Sequence, residues 1–264
     1  MPPSPAGLEE TDPQAFRFYG KALGVLRGCG LPFLVGGAYA FGYYTGIVRH
    51  TKDFDVFVRP ADARPALAAF ARAGYRTEIT FEHWLGKVFY ENDFIDVIFC
   101  SGNGECPVDD GWFDNAVDGE VLGVPAKLCP AEEMIWQKAF IMERERFDGA
   151  DVAHLLRACA AEMDWDRLLR RFGPHGRVLL SHLILFGFIY PDEQNKVPAP
   201  VLDALLGRLR EVGPAAPGLC RGTLLSRSQY LADTEHWGYA DARLRPRGKL
   251  TPQEVERWTA AASR

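Results

Sequence analysis

Short apolar runs separated by helix-length stretches fill the first half of this chain, and apolar residues at helical spacing dominate the second. Residues 1–12 are Pro-rich and acidic and are expected to be loose. Asp12-Pro13 marks a helix start with proline at the first helical position, and Phe16, Tyr19, Leu23 and Leu26 recur at helical spacing up to Gly28. A strand over Phe33–Val35, a helix from Ala38 to about Val48 and a strand over Phe54–Val58 follow. A helix from Ala61-Asp62 to Ala73 then turns Leu67 and Phe70 inward and stops at Gly74. Strands are predicted over Tyr75–Thr80, Lys87–Tyr90 and Phe94–Phe99, with a turn at Asn92-Asp93. Residues 101–118 read as a loop rich in Gly, Asp and Asn, able to serve as a mobile edge of a site. Asp118-Gly119 has the composition of a hairpin turn, leading to a strand over Val121–Val124.

Cys129-Pro130-Ala131-Glu132-Glu133 opens a helix, with proline in the first turn and acids near its positive end. Met134, Ile135, Lys138, Ala139 and Met142 fall on one face of it. The charged run from Glu143 to Asp151 reads as a solvated face, and Asp151 as the cap of a helix over Val152–Ala161. Helices over Trp165–Phe172, Gly176–Ile189 and Val201–Val212, a Pro/Gly loop over Gly213–Gly218, a short helix over Leu225–Ala232 and a closing helix over Pro252–Ala261 complete the chain. The class is α+β: a small mixed sheet flanked by helices over residues 13–128, followed by a mainly helical region over 129–264.

Three breaks in the apolar pattern carry chemistry. Gly36-Gly37 ends the first short strand, and paired glycines let backbone approach a ligand closely at a helix start that suits phosphate. Asp53 and Asp55 alternate with Phe54, Val56 and Val58, so both carboxylates share one face of a strand, roughly 7 Å apart along it. Two such carboxylates repel unless a cation lies between them, and hard oxygen ligands suit Mg²⁺ with phosphate and water completing its shell. Asp96 interrupts the strand Phe94–Phe99, which is otherwise apolar on both faces. A buried carboxylate there needs a cation, a donor or a proton. Together these residues make a place for a metal-bound nucleoside triphosphate. Lys138, on or beside an apolar stripe, reads either as a lysine extending its charge to solvent or as a cation reaching for phosphate.

Charge sharpens the picture. The net charge of −5 argues against broad electrostatic wrapping of nucleic acid, and leaves room for a nucleotide or one docked RNA. Residues 1–128 hold 11 Lys and Arg against 17 Asp and Glu, so the acidic surplus lies where the carboxylates are. The six cysteines lack zinc spacing, Cys100 and Cys159 sit in apolar runs as buried thiols, and a reducing cytoplasm is expected. The start Met1-Pro2-Pro3-Ser4-Pro5 has no leader pattern. The apolar run Val178–Tyr190 is short for a bilayer, so no membrane partner is expected. His83, His154, His182 and His236 are scattered and read as structural or surface residues.

Gly36-Gly37, then Arg49-x-Thr51-x-Asp53-x-Asp55, then Asp96 on a later apolar strand resembles the nucleotidyltransferase superfamily that includes DNA polymerase beta. Lys138 followed by Arg144 and Asp148 resembles the small bacterial members grouped with AbiEii-type toxins and stand-alone nucleotidyltransferases. The likeness covers residues 31–151, and Gly37 stands where many members have Ser. It implies the nucleotidyltransferase fold and transfer of an NMP group from an NTP to an acceptor hydroxyl, with release of pyrophosphate. It implies that Asp53 and Asp55 hold two Mg²⁺ ions, and that Asp96 holds the ion beside the acceptor and helps deprotonate its hydroxyl. Gly36 and Gly37 would meet the triphosphate through backbone N–H groups, Lys138 would neutralise it, and Arg49 and Thr51 would position it. A small molecule, a tRNA 3′ end or a protein side chain would serve as acceptor. A toxin, or a catalytically inactive relative that binds nucleotide or a partner, remains open.

Overall fold

The computed structural model describes residues 13–49, 51, 53–211 and 218–261. The expected loose segment 1–12, His50 and Lys52 of the Arg49–Asp55 pattern, and most of the 213–218 loop lie outside the described residues. The chain forms two compact units that meet in sequence at Pro130 and Ala131.

The first unit is built on a seven-stranded mixed sheet flanked by helices. In chain order its elements are α1 (Pro13–Gly28), β1 (Leu34–Val35), α2 (Gly37–Thr45), β2 (Asp53–Phe57), α3 (Pro60–Arg72), β3 (Arg76–Phe81), β4 (Leu85–Tyr90), β5 (Asp93–Ile98), α4 (Asp110–Asp114), β6 (Val117–Val121) and β7 (Val124–Leu128). The strand order is β3-β4-β5-β2-β1-β7-β6. β2 runs parallel to β5 and β1 parallel to β7, while the other neighbours are antiparallel. Strand alternation decides what is buried: Phe54, Val56, Val88, Ile95 and Val97 are fully enclosed. Tyr19 of α1 stacks on Phe54 with ring centroids 5.0 Å apart, and Leu67 of α3 lies close over Gly86 of β4. Burying a side chain such as Phe54 contributes about 1.5–3 kcal/mol. Phe16, counted into the apolar stripe of α1, is exposed, and Phe18 is the buried residue in its stead.

Several boundaries differ from the sequence reading, each for a local reason. α2 ends at Thr45 because Gly46 takes a left-handed conformation (φ 71°) and closes the helix on Gly42. The turn joining β4 to β5 is Glu91-Asn92, with Glu91 at φ 53°, and Asp93 already pairs with Tyr90. Asp118-Gly119 is no turn but the middle of β6. The hairpin reverses at Leu122-Gly123, both at positive φ, and Gly119 leaves space for Leu128 across the ladder. The 101–118 loop carries α4 and packs inward: Ser101, Asn103 and Cys106 are buried, and the Ser101 hydroxyl accepts from the Cys106 N–H.

The second unit is mainly helical, with α5 (Ala131–Lys138), α6 (Gly149–Cys159), α7 (Trp165–Phe172), α8 (Gly176–Ile189), α9 (Ala199–Glu211), a two-residue pairing of β8 (Leu219–Cys220) with β9 (Ala240–Asp241), α10 (Leu231–Glu235) and α11 (Pro252–Ala260). α5 stops at Lys138, so Ala139 and Met142 lie beyond it; Met142 instead bridges to Phe147. Asp151 lies inside α6, and Asp148 takes the position before its first residue. The helix expected over Leu225–Ala232 is replaced by a short 3-10 turn at Gly222–Leu224 and by α10. α9 begins earlier than predicted, at Ala199, and Val212 lies outside the described residues.

The run Trp165–Ile189 is long and apolar enough to cross a membrane by length and composition, beyond the shorter Val178–Tyr190 stretch judged from sequence. It is broken at Gly173 (φ 47°), and Leu168, Phe172, Leu179, Leu183 and Phe186 are buried within this unit.

Candidate active site

The site lies on one face of the first unit's sheet, where β2, β5 and β4 run side by side. Asp55 pairs in register with Asp96 across the parallel ladder, and Asp96 pairs with Lys87 across the antiparallel one. In-register partners lie on the same face, so Lys87, Asp96 and Asp55 form a row, with Asp53 two residues along. One oxygen from each of Asp53, Asp55 and Asp96 lies within 4.8 Å of the other two. The three carboxylates, two from β2 and one from β5, therefore converge.

Each carboxylate is held differently. The Thr51 hydroxyl donates to Asp53 Oδ1 and accepts from the Asp53 N–H at 3.3 Å. Asp55 lies against the turn before α2. A Cβ on Gly37 would fall 1.8 Å from Asp55 Oδ2, and Gly37 sits at φ 51°, so both space and backbone demand glycine there. A Cβ on Gly36 would enter the ring of Phe57 at 2.3 Å. The Gly36 N–H donates to the Asp55 carbonyl at 3.0 Å, extending the sheet, so this donor is used within the fold. The Ala40 N–H donates to the Gly36 carbonyl at 3.1 Å, and the N–H groups ahead of it, from Gly37 to Tyr39, have no partner within their helix. Asp96 takes the Lys87 ammonium on Oδ1 at 2.6 Å. Burial raises the Asp96 carboxyl above the ordinary range; Lys87 opposes that rise and Asp53 adds to it.

Two further predicted residues are placed less directly. Arg49 is exposed, its guanidinium 4.4 Å from the ring centroid of Phe41 on α2. Lys138, at the end of α5 in the second unit, donates to Asp148 at 3.0 Å and to Asp151 at 2.8 Å. Arg146 grips the same Asp148 through two bonds at 2.8 and 2.9 Å.

An all-oxygen donor set on converging carboxylates, beside a turn kept clear of side chains, fits a hard divalent cation with phosphate as its remaining ligand. Residues 23–185, more than half of the chain, match the family described as uncharacterised nucleotidyltransferase. The chain belongs to that family.

Among solved structures, this nucleotidyltransferase is similar to the antibiotic-resistance factor ANT(2'')-Ia in solution. That match has 17% identity and a TM-score of 0.45, over 65% of this chain and 98% of that one. The lincosamide antibiotic adenylyltransferase LnuA, lincomycin-bound, matches at 12% identity and TM-score 0.39, over 55% and 96% of the two chains. An antigenic nucleotidyltransferase-like protein from Paracoccidioides brasiliensis matches at 12% identity and TM-score 0.45, over 70% and 93%. No curated protein matches the chain.

Lys87 is the site residue that sequence reasoning missed. Its signal was present: a lysine in a strand otherwise apolar at Val88 and Phe89, one hairpin away from Asp96. In the nucleotidyltransferase's second unit, a cavity of about 940 Å³ is lined by residues between Leu231 and Ala260 and includes none of the predicted site residues.

Proposed function

We propose that this nucleotidyltransferase moves an NMP group from an NTP to an acceptor hydroxyl and releases pyrophosphate, with Asp53, Asp55 and Asp96 holding two Mg²⁺ ions. The observation that carries this reading is the meeting of three carboxylate oxygens, one from each aspartate, within 4.8 Å. Bound Mg²⁺ would supply charge neutralisation to the attacking and leaving oxygens of an in-line displacement. The chain's own residues do the positioning. Thr51 fixes the carboxylate of Asp53, and Gly37 leaves Asp55 room to face a ligand. The first turn of α2 offers backbone N–H groups and the positive end of a helix to the triphosphate.

The acceptor oxygen forms its bond to the α-phosphorus as the bond to the leaving pyrophosphate breaks. Asp96 receives the acceptor's proton as general base. Lys138 is assigned to the triphosphate through the family pattern of Lys138, Arg144 and Asp148, and Arg49 to positioning. The acceptor is a small molecule, a tRNA 3′ end or a protein side chain, and the acidic first half weighs against a long nucleic acid. Six free thiols accord with work in a reducing cytoplasm.

The test is to incubate the protein with Mg²⁺, the four NTPs and candidate acceptors, following pyrophosphate release and acceptor mass. A mass gain equal to one NMP less one water is expected, abolished in Asp53→Ala. Metal-dependent turnover that survives Asp53→Ala would remove that residue from the mechanism. Nucleotide binding without pyrophosphate from any acceptor would favour the catalytically inactive reading.

A further inference from the structure

We propose that Lys87 is a positioning residue that makes divalent-cation binding at the carboxylate cluster depend on the nucleotide. The inference rests on the two-metal reading above. Lys87 enters from β4, on the same sheet face as Asp96 and Asp55 and in register with Asp96. Its ammonium lies 2.6 Å from Asp96 Oδ1 and 3.8 Å from the ring centroid of Phe94, the residue two before Asp96 on the same face. Both partners are largely enclosed, with side chains 21% and 15% exposed. Carboxylate and aromatic face together hold the charge in one place. Glu78, the cross-strand partner of Lys87 on the far side, is engaged by the Thr80 hydroxyl at 3.0 Å and lies 3.5 Å from Arg76. Lys87 is therefore committed to Asp96.

This arrangement has two opposite effects on a metal. The ammonium orients the Asp96 carboxylate through Oδ1. It also neutralises one of three negative charges and repels a cation at close range, where charges of opposite and like sign interact strongly. The three aspartates alone would bind a divalent ion tightly. With Lys87 among them they bind it weakly, until the phosphates of an arriving NTP restore the missing negative charge. Metal and nucleotide then load together.

The test uses the full chain with Mn²⁺ as the probe, read by the electron paramagnetic resonance of free Mn²⁺, with and without a non-hydrolysable ATP analogue. Lys87→Met is expected to bind Mn²⁺ at least ~10-fold more tightly than wild type in the absence of nucleotide. The gain in Mn²⁺ affinity that the analogue brings should shrink by a similar factor. Lys87→Arg, which keeps the charge, should stay within about 3-fold of wild type. Without metal, Lys87→Met should melt about 3–8 °C lower, because Asp96 loses its counter-ion. If Lys87→Met fails to fold, Lys87→Gln carries the same measurement. Mn²⁺ uptake that requires Asp53 but is equally weak in wild type and the neutral variants overturns the role of Lys87 and leaves the two-metal reading standing. Absence of Asp53-dependent uptake in wild type, with or without the analogue, overturns both.

Discussion

Two lysines in this protein each hold an enclosed aspartate at short range, and their surroundings push those aspartates in opposite directions. In the first unit, Lys87 meets Asp96 at 2.6 Å; in the second, Lys138 meets Asp148 at 3.0 Å and Asp151 at 2.8 Å. Burial works to raise both Asp96 and Asp148. At Asp148 the bonds from Arg146 and the charge of Lys138 outweigh burial, and the carboxyl is held below the ordinary range. At Asp96 the Lys87 ammonium does not suffice, with Asp53 adding to the effect of burial, and the carboxyl stays above it. Pair distance alone does not separate a structural ion pair from a site; the balance of the surrounding cluster does. Lys138 and Arg146 both hold Asp148, whereas Asp96, held by Lys87, stands in a cluster of three converging aspartates. Carboxylates that converge on one point repel one another, and an external cation between them relieves that repulsion.

The comparison breaks first at Asp55. Asn in its place should lower metal-dependent turnover by about 10³-fold or more, the scale of losing a group that stabilises transition-state charge. Its metal-free melting temperature should hold or rise, because a like charge leaves a crowded cluster. Asp148→Asn should do the reverse to stability and melt lower. If Asp55→Asn loses as much metal-free stability as Asp148→Asn, the distinction between the two clusters is gone. Next in size is Lys138→Met, which takes the ammonium away from both Asp148 and Asp151 and leaves Arg146 on Asp148. A loss of about 3 kcal/mol in urea denaturation is expected, partly recovered by Lys138→Arg. Unchanged stability combined with a raised KM for NTP would make Lys138 a substrate ligand alone.

The lysine that sequence reasoning singled out was Lys138, and the one it passed over was Lys87, for reasons rooted in register. Alternation of apolar and acidic residues was enough to bury Phe54 and Val56 and to turn Asp53 and Asp55 to one face. An aspartate inside an apolar strand was enough to bring Asp96 to them. The partner of Asp96 depended on where the β4–β5 hairpin turns. A turn at Asn92-Asp93 pairs Asp96 with Phe89, while the actual turn at Glu91-Asn92 pairs it with Lys87. A displacement of one residue at a turn moves the partner by two, and only Glu91 at positive φ, unusual for glutamate, sets it. The partners of Lys138 were hidden differently. Asp148 and Asp151 sit in a run of alternating charge that reads as solvated, because sequence carries no sign that the segment after α5 folds back on its end. Asp118-Gly119 misled by composition: the local turn preference of Asp-Gly was overridden by ladder pairing with Lys127 and Ala126.

Two smaller effects sharpen the contrast. Gly37→Ala places a Cβ against Asp55 Oδ2 in a left-handed backbone, and should cost about 1–3 kcal/mol and at least ~10-fold in turnover. Gly46→Ala has a similar φ of 71° with open space around the added carbon. It should show the backbone cost alone, about 1 kcal/mol, with turnover unchanged. Equal turnover losses in the two variants would mean that the clearance beside Asp55 has no part in the site.

The smallest effect is a pH dependence of stability in the second unit, and its sign follows from Asp148. The native carboxyl sits below its ordinary value of 3.8, so between the two values the unfolded chain binds more protons than the folded one. The stability Asp148 contributes is therefore fully present above 3.8 and is lost as pH falls through the native value. Urea midpoints of wild type and Asp148→Asn, measured from pH 7 down to pH 3, should converge toward the acid end. Arg146→Gln should move that convergence to higher pH, because it removes the bonds that hold Asp148 down. Curves that stay parallel throughout would mean that Asp148 and its cations are no more tightly coupled in the folded chain than in the unfolded one.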